Sequence, residues 1–175
     1  MAQPPLHDGI HAAVAYGDVA SGLMLKLKYG RKTAYAETAA RLIVRALPPR
    51  FDVAIPVPLH RSRLWSRGFN QAALIAQGLS RHMGVPVEAS ALRRTRRTPV
   101  LRGLGPVARQ KALAGAFALD PRHRDAVAGK AVLLVDDVYT SGATSDACIR
   151  VLKRAGAASV AVAAFARVLP ETGGD

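Results

Sequence analysis

Cysteine is almost absent from this chain: Cys148 is the only one among 175 residues. A disulfide framework and a multi-cysteine zinc ribbon are therefore excluded within it, and a reducing cytoplasm is the expected compartment. Long hydrophobic runs are missing as well. The longest nearly uncharged apolar stretch, Ala155 to Ala166, has twelve residues, short of the roughly twenty that span a bilayer, so no membrane partner is expected. The first residues, Met1-Ala2-Gln3-Pro4-Pro5, lack the basic start and apolar run of a signal peptide. Acid is the scarce charge. Asp and Glu number 12 against 25 Lys and Arg, a formal charge of +13. Between Pro58 and Leu119 stand eleven basic residues and one acid, Glu88. A solvated face mixes signs, whereas a block of one sign favours a polyanion: nucleic acid or a phosphorylated small molecule.

What is present alternates. After a tail over residues 1–12, Asp18 can cap a helix running to Tyr29 and stopping at Gly30, and Thr33 caps a second one that Pro48-Pro49 ends. Phe51 to Val57 reads as a strand buried on both faces. Asn70 precedes a helix over Gln71 to Met83, with Ala72, Ile75, Ala76, Leu79 and Met83 at helical spacing and Gly84 as its stop. Val85-Pro86-Val87 starts a short strand toward Leu92. Arg93 to Lys111 has no clear period, carries seven basic residues and no acid, and reads as a mobile loop of the length reserved for functional segments. Ala131 to Val135 is a strand, Ser145 to Arg154 a helix closed by Gly156, and Ser159 to Ala166 a last strand. That is a βαβ unit, so the expected class is α/β: a mostly parallel twisted sheet flanked by helices, with the ligand at the strands' carboxyl ends.

The segment Val132-Leu133-Leu134-Val135-Asp136-Asp137-Val138-Tyr139-Thr140-Ser141-Gly142-Ala143-Thr144 carries chemistry. A buried strand ends in two carboxylates, which accept hydrogen bonds from sugar hydroxyls or hold hydrated Mg²⁺. Gly142 lets the backbone approach a phosphate, Thr140, Ser141 and Thr144 offer hydroxyls, and the following helix points its free N–H groups there. A ribose 5-phosphate fits both halves. Helix capping alone does not call for two acids after a strand. A receiver domain also pairs aspartates at a strand end, but there the pair opens the domain, and here too little chain follows Asp137. Gly103-x-Gly105-x-x-Ala108 lacks the strand context of a dinucleotide fingerprint, and no G-x-x-x-x-G-K-[ST] occurs.

Val132 to Thr144 resembles the phosphoribosyl pyrophosphate (PRPP) motif of type I phosphoribosyltransferases. Ile55-Pro56-Val57-Pro58-Leu59-His60-Arg61-Ser62-Arg63-Leu64-Trp65-Ser66-Arg67-Gly68-Phe69-Asn70-Gln71-Ala72 resembles the hallmark of one branch, the competence protein F family. The resemblance covers roughly Val14 to Val168 and implies a type I phosphoribosyltransferase fold with a helical hood segment (13–50) before a PRPP-binding core (51–168). It implies that Asp136 and Asp137 meet the ribose hydroxyls and Mg²⁺, that Thr140, Ser141, Gly142, Ala143 and Thr144 hold the 5-phosphate, and that Pro58, Leu59, His60 and Arg61 hold pyrophosphate. Arg67 would join Asp136 and Asp137 as a catalytic residue, and Arg93, Arg94, Arg96, Arg97, Arg102 and Arg109 would belong to a flexible loop closing over the site. Many family members begin with a zinc ribbon that this chain lacks; Val100 stands where glutamine is usual and Ala112 where asparagine is frequent.

The implied activity is transfer of the phosphoribosyl group to a nitrogenous acceptor with release of pyrophosphate. The alternative is a non-catalytic PRPP-binding or DNA-uptake protein that associates, weakly, with single-stranded DNA or with the uptake machinery. A second copy of the chain, forming a homodimer, is a further partner. Trp65 reads equally as a stacking surface or a packing anchor, and His60 as a pyrophosphate contact or a solvated turn residue. Cys148 reads as a small buried hydrophobe. Lys26, Lys28, Arg31 and Lys32 read first as solvated surface, with nucleic-acid contact as the lesser reading.

Overall fold

A computed structural model describes residues 5–18, 20–22, 25, 32–98 and 103–169, the side chains of Lys32, Thr33, Arg67 and Pro106 excepted. Its main sheet has four parallel strands in the order β1 (Ile10–Ala15), β6 (Ser159–Arg167), β5 (Ala131–Tyr139), β2 (Val53–Pro56). Along each central strand the side chains alternate between two cores. Ala54, Leu133, Val135, Ala161 and Ala163 face α1 (Lys32–Val44) and α3 (Gln71–Met83). Val53, Ile55, Val132, Leu134, Val160 and Val162 face Cys148, Ile149 and Leu152 of α5 (Ala143–Arg154). Burial on both faces is why these strands read as unbroken apolar runs.

Several boundaries differ from expectation. The tail expected over residues 1–12 ends inside β1, whose Ile10 pairs with Val162. Asp8 fixes it: the Val160 N–H donates to Asp8 Oδ2 at 2.7 Å, and Lys153 Nζ reaches the same oxygen at 2.9 Å. Alanine-rich Ile10–Ala15 has weak strand propensity, and only pairing to β6 makes it extended. Asp18, Ala20, Ser21, Gly22 and Leu25 are helical, while the expected stop at Tyr29 and Gly30 lies outside the described residues. Within the expected hood, α1 lies on the sheet, with Ala36, Ala39, Ala40 and Ile43 in its core. It ends at Val44, where Ala46 and Leu47 donate to Ile43 and Val44 in a tighter turn before Pro48. The strand expected from Val85 reduces to one parallel bridge, Val87 to Ala54, because Pro86 has no N–H to extend the ladder.

The arginine-rich stretch from Arg93 is not loop throughout. Its first residues complete β3 (Leu92–Arg94), antiparallel to β4 (Phe117–Leu119). Further on, α4 (Pro106–Leu113) opens on Pro106 after Gly105 and buries Leu113 against α5's core. With Val107 exposed and Leu113 the one buried side chain among its described residues, α4 has almost no apolar stripe to read from sequence. An unpredicted short helix, α2 (Arg61–Arg67), sits between β2 and α3, capped by His60 Nδ1 and closed by Gly68 at φ 73°. No helix among the described residues is long and apolar enough to cross a membrane.

Candidate functional site

Strands β2 and β5 run side by side in parallel, Pro56 opposite Val135, so their carboxyl ends open at one place. From β2 the chain leaves through Val57, Pro58 and Leu59; beside that exit β5 runs on past its β2 partners through Asp136 and Asp137, still paired with β6. A cavity of about 240 Å³ lies between these stretches. Arg63 of α2, the first turn of α3 (Asn70 to Ala72), Arg94 of β3 and Thr144 of α5 complete its wall. Asn70 ties two of these elements together: its Nδ2 donates to the Val57 carbonyl at 3.0 Å while its Oδ1 caps α3 by accepting from the Ala72 N–H at 3.0 Å.

The carboxylates are pinned through their own backbone. Asp137 N–H donates to Asp136 Oδ1 and Val138 N–H to Asp137 Oδ1, both at 2.8 Å. Burial pushes the Asp136 carboxyl well above the usual carboxylate range; the neighbouring Asp137 charge adds to this, and Arg94 pulls the other way. Burial likewise lowers the Arg94 guanidinium from its ordinary value, with Arg63 opposing its charge. Arg94 lies over the Phe117 ring at 5.3 Å and donates to Thr98 Oγ1. The cleft brings together opposite charges: the two acids of β5 and the guanidiniums of Arg63 and Arg94 line the same cavity.

The hydroxyl loop follows. Gly142, at φ 77°, is the N-cap of α5, and no side chain caps that helix. Its first N–H groups have no intrahelical partner, and the helix end carries positive dipole charge suited to a phosphate. Thr140 and Ser141 are exposed, and Thr144 faces the cavity. Tyr139 closes over Gly142, and Arg167 stacks on the Tyr139 ring at 5.8 Å.

Asp136, Asp137, Pro58, Leu59 and Thr144 thus share one cavity wall. The other expected residues separate. His60 caps α2, accepting from the Ser62 N–H at 3.3 Å; Arg61 is exposed at the start of α2, and the arginine of that helix lining the cavity is Arg63. The side chain of Arg67 lies outside the described residues, as do Arg102 and Val100. Among the expected loop arginines, Arg94 lines the cavity, Arg93 pairs with Asp120, and Arg96 donates to the Ala112 and Ala114 carbonyls at 3.0 and 2.6 Å. Arg97 is exposed, Arg109 is partly buried on α4, and Trp65 is 90% exposed on α2. Sequence reading did not single out Gln71 and Arg63 as site residues, although both stand inside the quoted hallmark segment. Cys148 is fully buried, and burial raises its thiol well above the ordinary value.

Residues 70–173 match a family described as the phosphoribosyl transferase domain. The DNA utilization protein YhgH of Escherichia coli (strain K12) is 33% identical over 178 residues, spanning 95% of this chain and 75% of that protein. This chain belongs to the phosphoribosyl transferase family. Competence protein F of Haemophilus influenzae is 32% identical over 176 residues, spanning 94% of this chain and 75% of that one. The branch indicated by the Ile55–Ala72 segment is therefore the right one. A solved structure of the allosteric regulatory enzyme of purine biosynthesis superposes with a TM-score of 0.50 at 23% identity, over 74% of this chain. This chain spans about a quarter (25%) of that enzyme, and the likeness extends to the fold. A phosphoribosyltransferase sheet is the frame on which this chain's cavity is built, with Asp136 and Asp137 in the latter part of β5.

Proposed function

We propose that this chain binds PRPP together with Mg²⁺ and transfers the phosphoribosyl group to a nitrogenous acceptor, releasing pyrophosphate. The observation that carries the reading is the single cavity in which Asp136, Asp137 and Thr144 meet Arg63 and Arg94. Family membership supplies the reaction class; the cavity supplies groups suited to each part of the substrate.

The residues fit a Mg²⁺ ion of the open kind. Among the described residues no group of three or more His, Cys, Asp or Glu side chains is placed to cage a metal. Mg²⁺, however, keeps several waters and takes one or two carboxylates plus substrate phosphates. Asp136 and Asp137 provide two carboxylates; burial first, and then the Asp137 charge, pushes Asp136 up, and a cation held by the pair would oppose that push. When bound, Mg²⁺ supplies charge neutralisation of the phosphate oxygens.

In this reading Thr144 and the first N–H groups of α5 hold the 5-phosphate, and Asp136 and Asp137 accept hydrogen bonds from the ribose hydroxyls. As the C1–O bond breaks, negative charge grows on the departing pyrophosphate and positive charge on the ribose ring. Arg63 and Arg94 face the first, and the acid pair favours the second. The acceptor nitrogen forms the new C1–N bond with its lone pair and gives its proton to solvent; no covalent intermediate with the protein is needed.

Calorimetry of PRPP binding with and without Mg²⁺ tests the reading. Binding is expected in the native chain and should be lost in the Asp136→Asn, Asp137→Asn double variant; unchanged binding there refutes it. Pyrophosphate release with a panel of bases and amines then identifies the acceptor.

A second reading, binding of single-stranded DNA, is favoured by the relatives' names and by Trp65, 90% exposed on a helix carrying the exposed Arg61. Affinity dominated by phosphate contacts should fall about a thousandfold between roughly 50 and 200 mM salt for six contacts. Tight binding that survives the higher salt and ignores PRPP would favour a dedicated nucleic-acid site.

A further inference from the structure

A second cavity, of about 370 Å³, shares no lining residue with the one at Asp136 and Asp137. Its walls include Leu6 and His7 from the segment before β1, Val107 of α4, Tyr139 of β5, and Asp146 and Arg150 of α5. Asp146 and Arg150 stand four residues apart on one helix, the spacing at which an acid and an arginine ordinarily pair. They do not pair here. Neither side chain makes a hydrogen bond or an ion pair among the described residues, although both are partly buried. Burial holds the Asp146 carboxyl above its ordinary value, while Arg150, and then His7, pulls it down. The acid also reaches Tyr139, whose hydroxyl is raised by burial first and by the Asp146 charge second. A charge drawn partly out of water without a partner is costly, and here two of opposite sign border one space. Apolar surface borders it too: Leu6 is 39% and Val107 69% exposed.

This combination selects a ligand by charge. Ser141 of the hydroxyl loop lines the same cavity, but a phosphate held there would meet the Asp146 carboxylate. A simple cation would meet Arg150, and a neutral base would compensate neither charge in full. A ligand with one positive and one negative group satisfies both, and an apolar part would cover Leu6 and Val107. An α-amino acid has that constitution: ammonium and carboxylate on one carbon, with a side chain beside them. The volume suits it, since cavities that take small ligands begin at roughly 300 Å³.

We propose that this cavity binds a free α-amino acid with an apolar side chain. Asp146 accepts hydrogen bonds from the ammonium, Arg150 donates to the carboxylate through two parallel N–H groups, and Leu6 and Val107 lie against the side chain. The site stands apart from the transfer reading, which gives none of these side chains a role.

Calorimetry of the full chain with L-leucine, L-methionine and L-phenylalanine tests it. At least one is expected to bind; a chain that binds none of them at millimolar concentration refutes the proposal. Two analogues of the tightest ligand then separate the charges: its carboxamide keeps the ammonium, and its deaminated acid keeps the carboxylate. Each should bind at least about tenfold more weakly, the effect of one hydrogen bond to a charged group. Asp146→Asn should weaken the amino acid by at least about tenfold without weakening the deaminated acid. Arg150→Gln should weaken the amino acid as much without weakening the carboxamide. An amino acid bound no better than its analogues, or a variant that weakens it and the matched analogue equally, overturns the assignment. Both side chains are partly exposed, so the variants should fold; if either does not, the analogue comparison on the native chain decides alone. The Asp136→Asn, Asp137→Asn double variant should keep its amino-acid binding. Loss there would put the ligand in the other cavity and overturn a separate site.

Discussion

Gly142→Ala separates two reasons why this loop needs glycine. Gly142 has φ 77°, and a Cβ there would overlap the Tyr139 hydroxyl oxygen and lie 3.0 Å from its Cζ. Left-handed backbone costs an alanine about 1–2 kcal/mol. Forcing Tyr139 aside adds about 1–3 kcal/mol of overpacking and loosens the Arg167 contact over its ring. Gly84, the C-cap of α3, is the control: its φ is 69° and nothing lies within 4 Å of the Cβ position, so Gly84→Ala carries the backbone cost alone. Gly142→Ala should therefore be the more destabilising of the two by about 1–3 kcal/mol. For a chain of this length that difference is a further fall in melting temperature of about 3–10 °C. Urea and thermal unfolding of both variants give the comparison. Adding Tyr139→Phe to Gly142→Ala removes the overlapping oxygen and should recover part of the difference, a coupling that independent sites would not show. Equal losses for Gly142→Ala and Gly84→Ala would refute the steric argument. The displaced loop should also weaken ribose 5-phosphate binding, whereas Gly84→Ala should not.

Gly78→Ala should destabilise by about 1–3 kcal/mol, because a Cβ there would stand 2.6 Å from the Ala40 Cβ where α3 crosses α1; urea unfolding measures it. Acid should unfold the chain through its paired carboxylates. Arg81, then His82 and Arg41, hold Glu37 down to about 2 from 4.5, and Arg122, then Arg93, hold Asp120 below its ordinary value. Folded values below unfolded ones mean stability that is complete above the ordinary carboxylate range and lost as pH falls from about 4.5 toward 2. Glu37→Gln should flatten that stretch of a stability–pH curve, and an unchanged slope would exclude the Glu37 contribution. Cys148, fully buried with a raised thiol, should resist thiol reagents in the folded chain and react only as fast as the structure opens.

The central strands and the motif were legible in the sequence because their signals are local. Val132 to Val135 is apolar on both faces, and Asp136 to Thr144 is contiguous, so the acid pair, the glycine turn and the helix that follows appear in one short window. Asn70 and Gly84 bounded α3 by capping chemistry that acts within a few residues, and the helix was found at Gln71–Met83 as read. The resemblance of the hallmark segment singled out Pro58 and Leu59, and the fold brings both to the cavity that Asp136 and Asp137 line.

What the sequence could not decide depends on partners distant along the chain. Ile10–Ala15 becomes a strand only because β6 offers it a ladder and Asp8 is tied to Val160. Pro106–Leu113 becomes a helix with hardly any apolar periodicity because α5 takes its one buried leucine. The arginines of one basic block received different fates for the same reason. Arg93 met a buried Asp120, Arg96 met two carbonyls, and Arg94 was turned over Phe117 into the cavity. Identical side chains carry identical local signals, so composition could say only that the block favours an anion. Tertiary packing chose which guanidinium lines the cavity, and it alone brought Gln71 from the start of α3 into the same wall as the two aspartates.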